Sequence, residues 1–158
     1  VNRSIKEFLR RDLVVNNLEA KSAEDVFKKI SPILLEAGFV EDSFFNGLVS
    51  REDKFPTGLS LGKYNVAIPH TDAIHVKKPI IAISTLKNPV KFNSMDGNGS
   101  VDVSIVFTMA LNEPHSQIVM LQQLMFLIQN EDTLESMLKA KDSDEVYDIV
   151  SSFNYNCE

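Results

Sequence analysis

With 158 residues and 44% apolar content, the chain is long enough to bury one sizeable core, and its size fits a single domain spanning 1–158. The formal net charge of −6, from 22 acidic and 16 basic residues, disfavours nucleic acid and anionic lipid as partners. No apolar run approaches the roughly 18 residues needed to cross a bilayer, no secretory h-region opens the chain, and the lone Cys157 permits neither an internal disulfide nor a thiol cluster for zinc. A reducing, cytoplasmic setting without membrane insertion is therefore expected.

The first clear element follows the short apolar run Leu13-Val14-Val15. From Ser22 onward, Val26, Phe27, Ile30, Ile33, Leu34 and Ala37 recur at helical spacing, with Ser22 placed as N-cap and Gly38 as the C-terminal stop. Pro32 is expected to kink or interrupt that helix. Past Asp42, a second helix is predicted from Phe44, Phe45, Leu48 and Val49, which share a face and bring Arg51 to the helix C-terminus.

Phe55 to Gly62 carries Pro56, Gly58 and Gly62 and reads as loop. Val66-Ala67-Ile68 is a short strand that Pro69 ends just before His70. Ile80–Ile83 and Val101–Met109 are β-branched, nearly continuous apolar runs, which suit strands covered on both faces by helices, with a further short strand at Val90 and Phe92. From Glu113 the pattern turns helical, Ile118, Leu121, Leu124, Met125 and Ile128 sharing a face and Pro114 standing in the first turn. Helices near Thr133–Ala140 and Ser143–Phe153, the latter capped by Ser143, complete a single α/β domain: a mixed β-sheet of about five strands with helices on both faces. Phe44, Phe45, Phe55, Ile118, Leu121 and Met125 are assigned to the core.

The reactive inventory is three histidines, at 70, 75 and 115. His70 stands where a strand hands over to a loop, a place where a scaffold can aim a side chain outward, although on that ground alone it reads equally as an ordinary loop histidine. Arg51 taken alone reads more readily as a helix C-terminal cation or a surface ion pair. His75 is five residues beyond His70 and shares no face with it, so the pair does not chelate a metal. No His-Glu-x-x-His or comparable ligand spacing occurs, which counts against a metal-dependent hydrolase.

The ordered strings Arg51-Glu52-Asp53-Lys54-Phe55-Pro56-Thr57-Gly58-Leu59 and Val66-Ala67-Ile68-Pro69-His70-Thr71-Asp72-Ala73-Ile74-His75 resemble the active-site region of enzyme IIA domains. These belong to the phosphoenolpyruvate-dependent sugar phosphotransferase system, fructose/mannitol (type 2) class. The Phe55-Pro56-Thr57-Gly58 and Ala73-Ile74-His75 pieces point to the galactitol branch.

The resemblance implies a mannitol enzyme IIA-like fold and a phosphotransferase that uses no cofactor. It implies that His70 is phosphorylated, at Nε2, by phospho-HPr and passes the group to a cysteine of a cognate enzyme IIB for sugar or polyol uptake. Such chemistry suits a neutral imidazole, whose phosphoramidate is readily surrendered to another histidine or a thiolate. The ring nitrogen that does not react must keep its proton and donate it to a carboxylate or carbonyl, and the sequence does not identify that partner.

Arg51 would bind the phosphoryl oxygens through its guanidinium fork. His115, beside a helix start, would be the second histidine that family members often carry. Thr57 and Gly58 would place a hydroxyl and a close backbone near the phosphoryl group, although by themselves they read equally as a plain turn, and His75 would order the loop or touch a partner protein. Exposed apolar residues around His70 are expected to form a docking surface. The alternative within the family is a regulator whose His70 phosphorylation state controls partner proteins.

Overall fold

The computed structural model describes residues 4–155, apart from the side chains of His115 and Ser116; Cys157 lies outside the described residues. The strands are β1 (Leu9–Leu18), β2 (Gly58–Leu59), β3 (Asn65–Ala67), β4 (Ile80–Asn93) and β5 (Ser100–Ala110), and the helices are α1 (Ala23–Glu36), α2 (Phe44–Lys54), α3 (Pro114–Ile128), α4 (Glu131–Lys139) and α5 (Ser143–Ser152). One mixed sheet runs in the order β1-β4-β5-β3-β2. The β4–β5 hairpin is antiparallel, β1 and β3 lie parallel to β4 and β5 respectively, and β2 closes the edge antiparallel to β3.

The two-residue period of the central strands divides their side chains between two cores. Ile81 and Ile83 of β4, with Ile105, Phe107 and Met109 of β5, pack under Met120, Leu124 and Leu127 of α3, Leu134 and Met137 of α4, and Val146 and Val150 of α5. The intervening Ile80 and Ala82, with Val106 and Ala110, face Val26, Phe27, Ile30 and Leu34 of α1 and Phe44 and Leu48 of α2. A sheet buried on both faces is what the continuous apolar runs anticipate.

Several local expectations are corrected. The segment read as loop after Phe55 contains the two-residue strand β2, too short to carry a periodicity. Val90 and Phe92 do not form a separate strand, because β4 continues through an irregularity between Thr85 and Val90 and pairs with β5 on both sides of it. Helix α1 is not interrupted at Pro32 but runs on to Glu36, since the ring is exposed on the solvent side, where water can satisfy the carbonyl it frees. Asp142, not Ser143, caps α5, its carboxylate accepting from the Glu145 amide at 2.9 Å. Ile118 and Phe55 are both 57% exposed and do not belong to the core: α3 buries the face of Met120, Leu124 and Leu127, and Phe55 caps the end of α2.

Candidate active site

His70 is reached through a short stretch held on both sides. The Ile68 amide donates to the Thr57 carbonyl at 3.2 Å, and the Met109 amide of β5 donates to the Pro69 carbonyl at 2.9 Å. His70 itself bridges to Met109 in parallel register, so its backbone is an extension of the sheet and its half-buried ring is presented from a rigid base.

The ring's Nδ1 lies 3.0 Å from the Ile68 carbonyl oxygen. A carbonyl can only accept, so Nδ1–H is the donor, and in the neutral ring Nε2 is left as the nucleophilic nitrogen. The partner that the sequence leaves unidentified is thus a backbone carbonyl two residues upstream.

Arg51 and His70 line one cleft of about 210 Å³ together with Thr71, Asp72, Ala73, Leu111, Asn112, Glu113, Pro114 and Gln117. Arg51 stands in the last turn of α2. Its guanidinium lies 4.4 Å over the Phe55 ring, and Nη1 meets Asp72 Oδ1 loosely, at 3.4 Å. Its Nε is shielded from solvent and has no hydrogen-bond partner among the described residues. A permanently charged donor left unsatisfied at the edge of a polar cleft is suited to an anion that arrives there.

The remaining predicted site residues fall elsewhere. Thr57 is buried and turned onto Glu52, its amide donating to Oε2 and its hydroxyl to Oε1, both at 2.7 Å. Gly58 lies against the β4–β5 hairpin: a Cβ there would stand 2.7 Å from the Asn93 carbonyl oxygen and 2.8 Å from Val101. Neither residue lines the His70 cleft. His75 lines a neighbouring cleft with Gly47, Ser50, Lys54 and Phe55, which shares Arg51, Thr71 and Asp72 with the first. Its Nδ1 lies 2.7 Å from Ser43 Oγ at the start of α2. His115 is the second residue of α3, and its side chain lies outside the described residues.

Two residues that the sequence reading passed over shape this region. Gly47 lets His75 and Thr71 pack directly onto α2, and a glycine inside a helical apolar pattern is the signal that could have exposed it. Glu52 is half-buried, and loss of hydration pushes its carboxyl above the ordinary glutamate range, against the opposing pull of the Thr57 hydrogen bonds. An acid beside an arginine at a helix end carries no such signal.

A histidine ring whose Nδ1–H is held by a backbone carbonyl, lining one polar cleft with an arginine, has the donors and the free ring nitrogen that a small anion could meet. The chain belongs to the enzyme IIA type 2 family of the phosphoenolpyruvate-dependent sugar phosphotransferase system, whose family model matches residues 7–153. It is 33% identical over 114 residues to the galactitol-specific EIIA component of Escherichia coli K12, covering 72% of this chain and 76% of that protein.

Among solved structures, a PTS IIA domain from Streptococcus pyogenes superposes with a TM-score of 0.79 at 22% identity, over 96% of this chain and 99% of that one. The mannitol enzyme IIA of Escherichia coli, in its complex with phosphorylated enzyme IIB, superposes with a TM-score of 0.74 at 18% identity, over 92% of this chain and 99% of that one. The expected mannitol enzyme IIA-like α/β fold is borne out. No helix among the described residues is long and apolar enough to cross a membrane.

Proposed function

We propose that this chain is a cytoplasmic phosphoryl carrier, a single domain that takes a phosphoryl group from phospho-HPr onto Nε2 of His70 and passes it to a cysteine of a cognate enzyme IIB. The observation that carries this reading is the Nδ1–H bond to the Ile68 carbonyl, on a ring that shares its cleft with Arg51. The galactitol-specific relative supports uptake of a galactitol-type sugar or polyol as the system served. The mannitol enzyme IIA seen with its phosphorylated enzyme IIB supports the choice of acceptor.

In the first step the N–P bond of phospho-HPr breaks as a bond forms from His70 Nε2 to phosphorus, and the donor histidine leaves with the electron pair. In the second, a thiolate of enzyme IIB attacks the same phosphorus and the pair returns to Nε2. Each transfer leans on position and charge. Arg51 exchanges its loose contact with Asp72 for the equatorial phosphoryl oxygens, and its Nε–H gains an acceptor. His115, the second residue of α3, is given the role of second histidine on the family resemblance. Thr57 acts from outside the cleft, through its carbonyl on the Ile68 amide, with Gly58 packed behind it on the β4–β5 hairpin, and His75 orders the loop through Ser43. Ile74, 78% exposed four residues past His70, and Phe55 beside Arg51 supply the apolar contact a docking protein needs.

The test is incubation with phosphoenolpyruvate, enzyme I and HPr, followed by intact mass and then by addition of a galactitol-type enzyme IIB. Wild type should gain one acid-labile phosphoryl group and lose it to the acceptor, and His70→Ala should gain none. A phosphoryl group on His70→Ala would refute the assignment. An adduct that forms but passes to no enzyme IIB would favour the regulatory role.

A further inference from the structure

Glu52 is a titratable group with no part in the transfer chemistry, yet it is turned inward from α2, where losing hydration costs a carboxylate free energy. Both its oxygens are spent on one residue. Oε2 accepts from the Thr57 amide and Oε1 from the Thr57 hydroxyl, each at 2.7 Å. Thr57 is almost wholly buried, so its position is set by this clamp rather than by solvent. The carbonyl of Thr57 then accepts from the Ile68 amide at 3.2 Å, and the carbonyl of Ile68 accepts from Nδ1–H of His70 at 3.0 Å.

These contacts form an unbroken line of hydrogen bonds from a helix carboxylate to the reactive ring. The opposite side of the same stretch is fixed by the Pro69 carbonyl to the Met109 amide of β5. The β5 side fixes Pro69, and the Glu52 side fixes Ile68, whose carbonyl selects the tautomer. The β2 backbone beyond Thr57 is held by pairing of Gly58 with Ala67 and by the Met95 amide donating to the Gly58 carbonyl, so what the clamp adds is the fixing of Thr57's own amide and hydroxyl.

We propose that Glu52 is a positioning residue: acting through Thr57 and Ile68, it holds the His70 ring in the Nδ1–H tautomer and aims Nε2 for attack. The consequence for transfer rests on the carrier reading given above; the consequence for the ring does not. Glutamine at this position can still accept from the Thr57 amide and offer its NH₂ to the hydroxyl, so shape survives loss of charge. Alanine removes both contacts.

The experiment measures the His70 ring by ¹⁵N–¹H correlation spectra at a pH where the ring is neutral, and the phosphorylation rate over a range of phospho-HPr concentrations. Glu52→Ala should move the ring signals toward the Nε2–H form that free histidine favours. It should lower the saturated rate by about tenfold to a hundredfold with little change in the phospho-HPr concentration at half saturation. Glu52→Gln should restore most of both. Should Glu52→Ala fail to fold, Thr57→Val, which removes only the hydroxyl half of the clamp, should shift the ring in the same direction by less. Wild-type ring signals in a folded Glu52→Ala, or in Thr57→Val if it alone folds, would overturn the proposal. If wild type accepts no phosphoryl group, the carrier reading falls, while the ring spectra still decide the role of Glu52.

Discussion

An alanine at position 47 sets two opposed effects against each other. In the middle of α2, replacing glycine should stabilise the helix by about 1 kcal/mol through backbone entropy alone. The new Cβ, however, would stand 2.7 Å from Cδ2 of His75 and from Oγ1 of Thr71, and 3.0 Å from Nε2 of His75. Ordinary contacts of carbon atoms lie near 3.5–4.0 Å, so these groups would have to retreat by about 1 Å. His75 is poorly able to do so, because Ser43 holds its Nδ1 at 2.7 Å and its carbonyl accepts from the Glu41 amide at 2.9 Å. Thr71 is itself buried and adjoins His70. Overpacking of this kind costs about 1–3 kcal/mol, so the clash outweighs the helix gain and Gly47→Ala should be destabilised by about 1 kcal/mol net. Thermal unfolding should fall by about 2–4 °C, and phosphoryl uptake should slow by about tenfold or more as the loop shifts. Urea denaturation together with uptake from phospho-HPr checks both. A variant more stable than wild type, with unchanged uptake, would refute the reasoning by showing that the loop yields without cost.

Arg51→Ala should reduce transfer by about 10²–10³-fold while costing the fold about 1 kcal/mol or less, because its partner Asp72 is largely exposed and the pair is long. A stopped-flow transfer assay beside a denaturation curve separates the two, and a transfer rate equal to wild type would remove Arg51 from the site. Phe107→Ala should cost about 3–5 kcal/mol, since the ring is wholly buried between β5 and its neighbours, as read from the urea midpoint. Glu135 is held down to about 2 by hydrogen bonds from Lys63 and Tyr64 and by the charge of Lys139. Its native form therefore binds a proton less readily than the unfolded chain does. Its stabilising contribution is complete above the ordinary value of 4.5 and drains away as pH falls toward about 2. The stability gap between wild type and Glu135→Gln should thus be open at neutral pH and narrow on acidification through that window; a gap constant with pH would contradict the assignment.

The candidate site draws on parts that the fold keeps at different rigidities. His70 rides on the sheet through Met109 and Thr57, and Arg51 lines the same cleft from a helix end, its guanidinium in a loose ion pair with Asp72 and stacked on Phe55. On the proposed carrier reading, a fixed ring with an adjustable counter-charge suits a group that must arrive from one protein and depart to another.

Much of this was legible in the residues. Ser22 and Gly38 bound α1, Pro114 opens α3, and the apolar runs of β4 and β5 announce a sheet covered on both faces, because caps, breakers and periodicities act within a few residues. The ordered strings from Arg51 to His75 carried the resemblance to the enzyme IIA family, since they stand close along one stretch of chain. What only the tertiary structure decided are relations between elements. It set Arg51 across a cleft from His70, turned Thr57 onto Glu52, gave Nδ1 the Ile68 carbonyl, and left Phe55 and Ile118 outside the core. Those depend on which face of α2 or α3 meets the sheet and on the register of a two-residue strand. Both are set by packing across the whole domain, where a local pattern carries no information.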